Sequence, residues 1–525
     1  PAPWLTGTAA ATVAALAAHE ALAAADPGGD PRTRGGILVV ALADLDVTDH
    51  RFLPDPACPV CGGLPEDSAA GARLRPGPRP KRAPDDYRVG SVDLDRLRRT
   101  YVDQEVGLVR ALGHGTEAGL VVARAPLCMP GGGHEESGWG RARDSRTARQ
   151  VALLEALERY GGARPGGRRT AVHAPYSAVA ADAVDPRSFG LHAPEQRAEP
   201  GHRFGRYDED EPRHWVWAHS FGRDRPVLVP ESLGYYRSRL LHPDDPPLAY
   251  EASNGCALGG CVEEAALYGL LEVAERDAFL LTWHARLPAP RIDLATWPDP
   301  LAGLLAAEID RELGYAVHVF DITPEHGVPC VWALAVDPGG GSAGRPATAS
   351  AAGAHLDPRQ AVLSALAELG PILAHLVRSY PEQAGRAAAM AADPSLVTEM
   401  EDHALLHGHP DTLERFDFLL RPPAGTGPPR RPDPPRPRAD LRDDLLGAVD
   451  RFAAAGLDVL VLDQTTPEHR AGGLACVKVL VPGTLPMTFG HAHRRLSGLP
   501  RLRTVPRLLG HPEPAGISTL PHPFP

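Results

Sequence analysis

Residues 251–280 read EASNGCALGGCVEEAALYGLLEVAERDAFL. From Val262 onward the pattern predicts one long helix that is buried, because its apolar residues cover nearly the whole circumference. This helix nevertheless carries Glu264, Glu272 and Glu275. At 100° per residue, Glu272 lies about 80° and Glu275 about 20° away from Glu264. The three carboxylates are therefore expected to share one stripe of the helix.

Two further predicted helices also carry glutamates among apolar residues. The segment ARQVALLEALERYGG (148–162) has Glu155 and Glu158 on one face, and DPRQAVLSALAELGPIL (357–373) has Glu368 in a similar setting. Buried carboxylates are costly unless they are paired with a cation. Oxygen ligands favour Mg²⁺, which commonly arrives with nucleotide phosphates. The alternative is that each glutamate faces solvent beside a nearby arginine, but three such helices in one chain favour a cation site.

A Gly-rich segment, SNGCALGG (253–260), comes directly before the main helix. A loop of this kind can present backbone N–H groups and a helix N-terminus to phosphate. The pattern is weak on its own, because many Gly-rich turns bind nothing. The chain contains no GxxxxGK[ST] loop and no GxGxxG opening a βαβ unit.

The composition restricts the class of protein. A chain of 525 residues with 43% hydrophobic residues can bury a large core, and more than one domain is expected. The formal net charge of -12 does not favour nucleic acid or an anionic membrane as a partner. The sequence predicts no membrane span, and the Ala-rich segment 9–25 is interpreted as an ordinary helix. Seven cysteines in so long a chain indicate a reducing compartment, so the protein is predicted to be cytoplasmic.

Three parts are predicted along the chain. Residues 1–70 form a small unit with an Ala-rich helix, a strand-like run at 36–42 and a CPVCG sequence. Residues 71–86 form a Pro- and Arg-rich linker. Residues 87–525 form a large α/β or α+β region, in which helices pack on mixed sheets. A second Pro/Arg-rich stretch, 421–440, is expected to be a surface loop.

The large region alternates between the two kinds of regular structure. Strands are predicted at 119–125, 315–322, 329–336, 458–463 and 475–481, and helices at 145–160, 262–283, 358–378 and 441–455.

Four ordered segments of this region resemble the YcaO family. The segment SNGCALGGCVEEAALYGLLEVAERDAF (253–279) is similar to the family signature, and SGWGRARDSRTARQVALLEALERYGGARP (137–165) is similar to its first ATP-site segment. AGAHLDPRQAVLSALAELG (352–370) resembles the third ATP-site segment. Residues 465–502 resemble the C-terminal part of members that act on peptides.

The resemblance implies an ATP site in which carboxylates from several helices hold Mg²⁺ ions that bridge the nucleotide phosphates. Arg276 is implied near phosphate, and Arg141 in the GWGR turn is a weaker candidate. The carboxylates carried over by position are Glu155, Glu158, Glu264, Glu272, Glu275 and Glu368.

Some positions depart from the family pattern. Val151 stands where the first segment often has Ser, and Pro371 and Ile372 stand where the third often has Gln. Ala257 and Gly260 replace polar residues of some relatives. These departures put individual contacts in doubt but not the set of carboxylates.

The chain ends in PHPFP, with Pro521, Pro523 and Pro525 at alternate positions. Taken as bare sequence, such a tail indicates an extended or disordered terminus. The resemblance implies instead an azoline-forming member, in which the tail reaches the active site and the Pro525 carboxylate acts as a base. The implied activity is ATP-dependent cyclodehydration of Cys, Ser or Thr in a ribosomal precursor peptide of the antibiotic type. Phosphorylation of the amide oxygen releases ADP and phosphate.

The N-terminal unit resembles the end of an E1-like domain. Cys58 and Cys61 would supply two of the four ligands that a structural zinc needs, and the alternative is a metal-free turn. The resemblance further implies an E1-like partner that binds the leader of the precursor peptide, and a homodimer.

Other functions remain open at this point. Thioamide or amidine formation is disfavoured by the PHPFP terminus. A peptide-binding scaffold with a decayed ATP site gains some support from Val151 and Pro371, but the six retained glutamates oppose it. An adenylating enzyme is disfavoured because the N-terminal unit is too short for a nucleotide-binding fold.

Overall fold

The computed structural model describes residues 4–90, 92–129, 136–245, 247–422 and 432–524. Within this part of the chain, four sheets carry helices on their faces. The predicted class is thus confirmed, and α+β is the closer description because every ladder between the named strands is antiparallel. Of the second Pro/Arg-rich stretch, residues 423–431 lie outside the described residues.

The strands fall into a two-stranded, a three-stranded, a six-stranded and a four-stranded sheet. The first two sheets are β1 (Gly36–Val40) and β2 (Val47–Arg51), and then β3 (Gly113–Glu117), β4 (Leu120–Leu127) and β5 (Glu136–Ala142). The six-stranded sheet contains β6 (Val172–Ala174), β7 (Arg213–Ser220), β8 (Arg225–Pro230), β9 (Cys256–Gly259), β14 (Leu460–Asp463) and β15 (Ala475–Leu480). The four-stranded sheet contains β10 (Arg291–Ile292), β11 (Ala316–Asp321), β12 (Cys330–Val336) and β13 (Thr348–Ala354).

The helices range from single turns to one that runs for 35 residues. The long helices are α1 (Gly7–Ala25), α4 (Ser145–Ala163), α7 (Val262–His284), α8 (Pro300–Leu313), α9 (Pro358–Ala392) and α12 (Leu441–Ala454). The shorter ones are α2 (Ala69–Ala72), α3 (Leu94–Tyr101), α5 (Tyr176–Val179), α6 (Glu231–Gly234), α10 (Met400–His407), α11 (Asp417–Leu420), α13 (Pro467–Ala471) and α14 (Arg501–Leu508).

Helix α4 packs directly on the three-stranded sheet. Two glycines of β5 allow this close approach. A Cβ on Gly138 would lie 2.0 Å from the Ala152 carbonyl oxygen, and one on Gly140 would lie 1.9 Å from that of Ala148. The GWG sequence therefore fixes the position of α4 over the sheet, and with it the position of the two glutamates that α4 carries.

Helix α7 lies between the two large sheets and contacts β15 and β9 on one side and β12 and β13 on the other. Its apolar circumference is buried, as predicted. Phe279 packs on Trp332 of β12 with ring centroids 4.0 Å apart, and Trp283 is 1% exposed. Burial of a large apolar side chain contributes about 1.5–3 kcal/mol, so α7 is a main source of core stability.

The N-terminal unit contains the predicted helix α1 and a hairpin of β1 and β2, of which only the first strand was predicted. Several polar contacts attach the segment that follows α1 to the rest of the protein, among them the following two. The His50 ring lies 2.9 Å from the Asp103 carboxylate, and Asp67 accepts a 2.7 Å hydrogen bond from the Trp217 backbone N–H.

The predicted linker 71–86 lies against helices α7 and α12. Arg79 pairs with Glu263 of α7 at 2.9 Å. The Lys81 ammonium lies 2.6 Å from the Asp444 carboxylate of α12, and both side chains are almost fully buried. The linker is therefore bound along its length rather than freely solvated.

Two helices are long and apolar enough to span a membrane by length and composition. In α9 the apolar window is 56% buried within the fold, which marks it as a core helix. In α1 the corresponding window is 11% buried. Its interpretation as an ordinary helix stays a prediction.

Candidate functional site

A cavity of about 1030 Å³ opens where α4, α7 and α9 meet. Each of these helices contributes glutamate to its wall. Residues 250–254, part of α10 and Phe524 of the C-terminal tail also line it. The acidic residues that line the cavity are Glu117, Glu136, Glu155, Glu158, Glu251, Glu272, Glu368, Glu399, Glu401 and Asp402.

Four of the lining glutamates are those predicted from the apolar helices: Glu155 and Glu158 of α4, Glu272 of α7 and Glu368 of α9. Glu275 is not among the lining residues, but it belongs to the same cluster, because the charges of Glu368 and Glu272 act on it. The structure thus brings together five predicted carboxylates from three helices.

The carboxylates destabilise one another's charged forms. Burial, with the neighbouring Glu272 and Glu155, raises the pKa of Glu158 well above its usual range. Burial also raises the pKa of Glu272. The pKa of Glu275 rises to about 8 through burial, with Glu368 and Glu272 adding to it. A bound cation would relieve this repulsion, which is a property expected of a metal site.

Arginines lie among the carboxylates. The Arg276 guanidinium is 3.5 Å from Glu272 and 3.7 Å from Glu275, and Arg141 is 3.9 Å from Glu368. The Nε atoms of both arginines are buried without a hydrogen-bond partner among the described residues. Both predicted arginines are therefore at the site and have donor capacity left for an anion.

The C-terminal tail is buried and reaches the cavity. Residues 521–524 are all buried, and Phe524 lines the cavity wall. The Phe524 ring lies 4.0 Å from the Arg276 guanidinium carbon and packs edge-on against Phe279 at 5.0 Å. Pro521 and Pro523 thus lie in an ordered segment next to the carboxylate cluster. Pro525, the predicted base, lies outside the described residues.

Glu264 does not join the cluster. Its carboxylate pairs with Arg88 at 2.8 Å and accepts a hydrogen bond from the Val89 backbone N–H at 3.1 Å. The N-terminal turn of α7 contributes no described residue to the cavity wall. Helical periodicity places Glu264 on the same stripe as Glu272, but about 12 Å away along the axis, where the chain after the linker covers it.

The predicted Gly-rich loop is shorter than expected. Its second half is mostly strand β9, which pairs with β15, so within the predicted residues 253–260 only 253–255 and Gly260 lie outside the strand. Gly255 has φ of 76°, and a Cβ there would lie 2.3 Å from the Val479 carbonyl oxygen. Ala252, Ser253 and Asn254 line the cavity, and Gly255 N–H donates to Glu272 at 3.2 Å.

A buried ion cluster that the sequence analysis missed fixes this loop. Lys478 of β15 is fully buried and bonds Glu251 at 3.0 Å and the Ala252 carbonyl at 3.1 Å. Arg495 bonds the other Glu251 oxygen at 2.8 Å. The sequence feature that could have revealed this cluster is the rarity of lysine, since Lys81 and Lys478 are the only two lysines in the chain. In the structure both are buried in ion pairs.

The residues of the site suit Mg²⁺ that is bound together with nucleotide phosphate. They suit less well a metal ion that is held by protein side chains alone. Among the described residues, no group of three or more His, Cys, Asp or Glu side chains could hold one ion. Magnesium is commonly held by one or two carboxylates together with substrate phosphates and water. Glu155, Glu158, Glu272, Glu275 and Glu368 would supply the carboxylates, and the arginines would contact phosphate.

Zinc does not fit the N-terminal CxxC turn. Cys58 and Cys61 are free thiols near the surface, and the described residues offer no further ligand beside them. A structural zinc ion needs four ligands. The predicted zinc is therefore not supported, and the metal-free turn is the better interpretation.

Comparison with protein families identifies the large region. A family model described as YcaO cyclodehydratase, binding ATP and Mg²⁺, matches residues 139–485. An uncharacterized protein of Methanothermobacter thermautotrophicus is 32% identical over 356 residues, which are 66% of this chain and 80% of the relative. An uncharacterized protein from the tfuA 3′ region of Rhizobium leguminosarum bv. trifolii is 26% identical over 66% of this chain and 76% of its own length.

Solved structures are similar over nearly the whole chain. A heterocyclase in complex with substrate and cofactor has a TM-score of 0.75 at 25% identity, covering 98% of this chain and 68% of its own. The heterocyclase TruD has a TM-score of 0.63 at 25% identity, covering 96% of this chain and 63% of its own. The matched family range contains all five clustered glutamates. The chain therefore belongs to the YcaO family and is an ATP-dependent enzyme of that family.

Proposed function

We propose that this enzyme forms azoline rings in a ribosomal precursor peptide by ATP-dependent cyclodehydration of Cys, Ser or Thr. The observation that carries the proposal is the convergence of two features on one cavity. These are the carboxylate cluster on three helices, four members of which line the cavity, and the buried residues 521–524 of the tail, whose Phe524 packs on Arg276. The likeness to solved heterocyclases at 25% identity supports the same reaction class.

In this proposal the carboxylate cluster binds the triphosphate of ATP. Mg²⁺, when bound, would neutralise the phosphate charge and so favour transfer of the terminal phosphoryl group. Arg276 and Arg141 would donate to phosphate oxygens through Nε atoms that have no hydrogen-bond partner among the described residues. Lys478 and Arg495 hold Glu251 and Ala252 in place on the cavity wall.

The reaction joins a peptide side chain to the preceding amide. The thiol or hydroxyl of the substrate residue loses its proton and attacks the carbonyl carbon, and the carbonyl electron pair moves to oxygen. That oxygen takes the terminal phosphoryl group as ADP leaves. The amide nitrogen then loses its proton, a C=N bond forms, and the C–O bond breaks to release phosphate.

Two proton transfers in this sequence need a base. The tail delivers residue 524 to the cavity, so we propose the terminal carboxylate of Pro525 as that base, with Pro521 and Pro523 holding the segment extended. His493 is a weaker candidate, because its Nδ1 bonds the Phe489 carbonyl at 2.8 Å and its ring stacks on Tyr250. These contacts give His493 a structural role.

We further propose that a separate E1-like protein binds the leader of the precursor peptide and presents its core to this cavity. The N-terminal unit would dock that partner. We also propose a homodimer, on the basis of the family likeness. The free cysteines support a cytoplasmic location.

The proposal is tested by incubating the protein with Mg-ATP, an E1-like partner and a Cys-containing precursor peptide encoded beside it. Mass spectrometry should show a loss of about 18 Da per ring, with one ADP and one phosphate released for each. Release of AMP and pyrophosphate, or an unchanged peptide mass with partner and leader bound, would contradict azoline formation. An unchanged mass would favour a peptide-binding scaffold.

A further inference from the structure

The C-terminal tail is held by side chains that bond its main-chain carbonyls. Four such bonds hold residues 518–522, and His522 adds one through its own ring. The donors and acceptors are His284 Nδ1 to Ser518 O (2.7 Å), Trp283 Nε1 to Leu520 O (3.1 Å), His407 Nε2 to Pro521 O (2.9 Å), His403 Nδ1 to His522 O (2.8 Å) and His522 Nε2 to Thr488 O (2.9 Å).

The two bonds nearest the cavity come from helix α10. His403 and His407 are four residues apart, so they lie on one face of the helix and reach successive carbonyls of the tail. Both side chains are 1% exposed. Proline has no backbone N–H to donate, so the main chain of Pro521 and Pro523 can form hydrogen bonds only through the carbonyl groups.

The hydrogen bonds determine the tautomer of His403. Its Nε2 accepts the Gly490 backbone N–H at 2.9 Å, so the ring proton must be on Nδ1, where it donates to the tail. Burial lowers the pKa of His403 to about 4 and that of His407 to about 3. Both rings are therefore neutral near pH 7, and each offers one N–H.

Ring contacts keep His407 in place. Trp283 packs edge-on against it at 5.1 Å, and Phe416 packs against it at 5.5 Å. Its Nδ1 has no hydrogen-bond partner among the described residues, so its only side-chain hydrogen bond there is the one to Pro521 O. A buried polar ring with one bond, and that bond to the tail, indicates a residue whose role is to place the tail.

We propose that His403 and His407 are positioning residues that hold the tail by the carbonyl oxygens of His522 and Pro521 and so fix Phe524 at the carboxylate cavity. This inference rests on the proposed function, in which the chain end takes part in cyclisation. It assigns to α10 a role that the family match alone does not give, since neither histidine touches the clustered glutamates.

The test uses the full chain with 4-fluorophenylalanine at position 524 and ¹⁹F NMR. The unaltered sequence should give one resonance shifted from that of an exposed fluorophenylalanine, because the ring packs on Phe279 and Arg276. His407→Leu should move the signal to the exposed position and lower the cyclisation turnover number at least tenfold. The KM for ATP should change less than twofold.

The conservative variant His407→Gln separates positioning from general stability. Its side-chain amide can donate from nearly the position of Nε2, so it should recover the packed resonance and turnover to within threefold. The matched control is His326→Leu. His326 is equally buried but stacks on Phe452 and has no contact with the tail, so this change should lower stability and leave the resonance unmoved.

Two results would overturn the inference. One is a resonance at the exposed position for residue 524 in the unaltered sequence. This measurement does not depend on whether any variant folds. The other is a folded His407→Leu protein with a displaced tail and turnover within twofold of normal, while removal of residues 521–525 abolishes cyclisation. If that deletion is itself harmless, the proposed role of the tail fails instead, whatever the NMR shows.

Discussion

The buried carboxylates of this enzyme differ in how fully neighbouring groups balance their negative charge. Glu158, Glu272 and Glu275 have raised pKa values chiefly because they are buried, and neighbouring carboxylates add to the effect on Glu158 and Glu275. Glu263 and Glu264, on the same helix α7, each have an arginine and a backbone N–H. The first group is therefore available for a cation, whereas the second is already neutralised.

This difference predicts opposite effects of substitution. Glu272→Gln or Glu275→Gln should lower Mg-ATP turnover at least a hundredfold, and should leave the unfolding temperature of the nucleotide-free protein unchanged or higher, since repulsion falls. The control Glu263→Gln should lose about 1–3 kcal/mol of stability and keep its ATP turnover. Calorimetry measures the unfolding temperature, and an ADP-release assay measures ATP turnover. Normal turnover in both Glu272→Gln and Glu275→Gln would show that this cluster is not the Mg-ATP site.

The pKa of Glu275, about 8, gives a pH dependence. Below pH 8 the nucleotide-free site holds a proton there, and Mg²⁺ must displace it. Magnesium affinity should therefore rise with pH, by up to about tenfold per unit for each proton released, and level off above pH 8. Titration calorimetry in buffers of different ionisation enthalpy measures the proton release. Binding without proton release would contradict this assignment.

At the scale of elements, much of the fold could be predicted, because strands such as β12 and helices such as α7 have clear apolar patterns. Strand β2 was missed because VTDHR is short and mostly exposed. Strand β9 was interpreted as loop because glycines surround CALG. Periodicity gave the right face of α7, but it could not tell that the chain around Arg88 covers the Glu264 end.

The tail is the element with the most direct functional prediction. Removing residues 521–525 should lower cyclisation at least a hundredfold, because the chain end no longer reaches the cavity. The fold should persist, since only Phe524 among these residues packs in the main hydrophobic core. Circular dichroism measures whether the fold persists, and the peptide mass assay measures cyclisation. Full activity in the truncated, folded protein would remove the tail from the mechanism.

At the scale of the whole molecule, residues 71–86 join two helices that are far apart in the chain. This linker joins α7 through the Arg79–Glu263 pair and α12 through the Lys81–Asp444 pair. Sequence reasoning classified this stretch as a linker, because it is rich in proline and arginine. Composition could not reveal its buried partners, which lie about 180 and 360 residues away in the chain.

Breaking the second pair should therefore destabilise the whole domain. Lys81→Met leaves the buried Asp444 carboxylate without its cation and should cost about 3–5 kcal/mol in urea unfolding. The double variant with Asp444→Leu should recover most of that loss, because no buried charge remains. A loss below about 1 kcal/mol for the single variant would show that the linker is not bound as described.

We propose that the terminal phosphoryl group of ATP passes to the amide oxygen of the peptide, and an isotope label on that oxygen can follow this transfer. A precursor peptide with ¹⁸O in the carbonyl before the reacting Cys is incubated with the enzyme, its partner and Mg-ATP, and the released phosphate is analysed by mass spectrometry. We expect one ¹⁸O atom in the released phosphate for each ring formed. Ring formation with unlabelled phosphate, and the label lost to water, would contradict it.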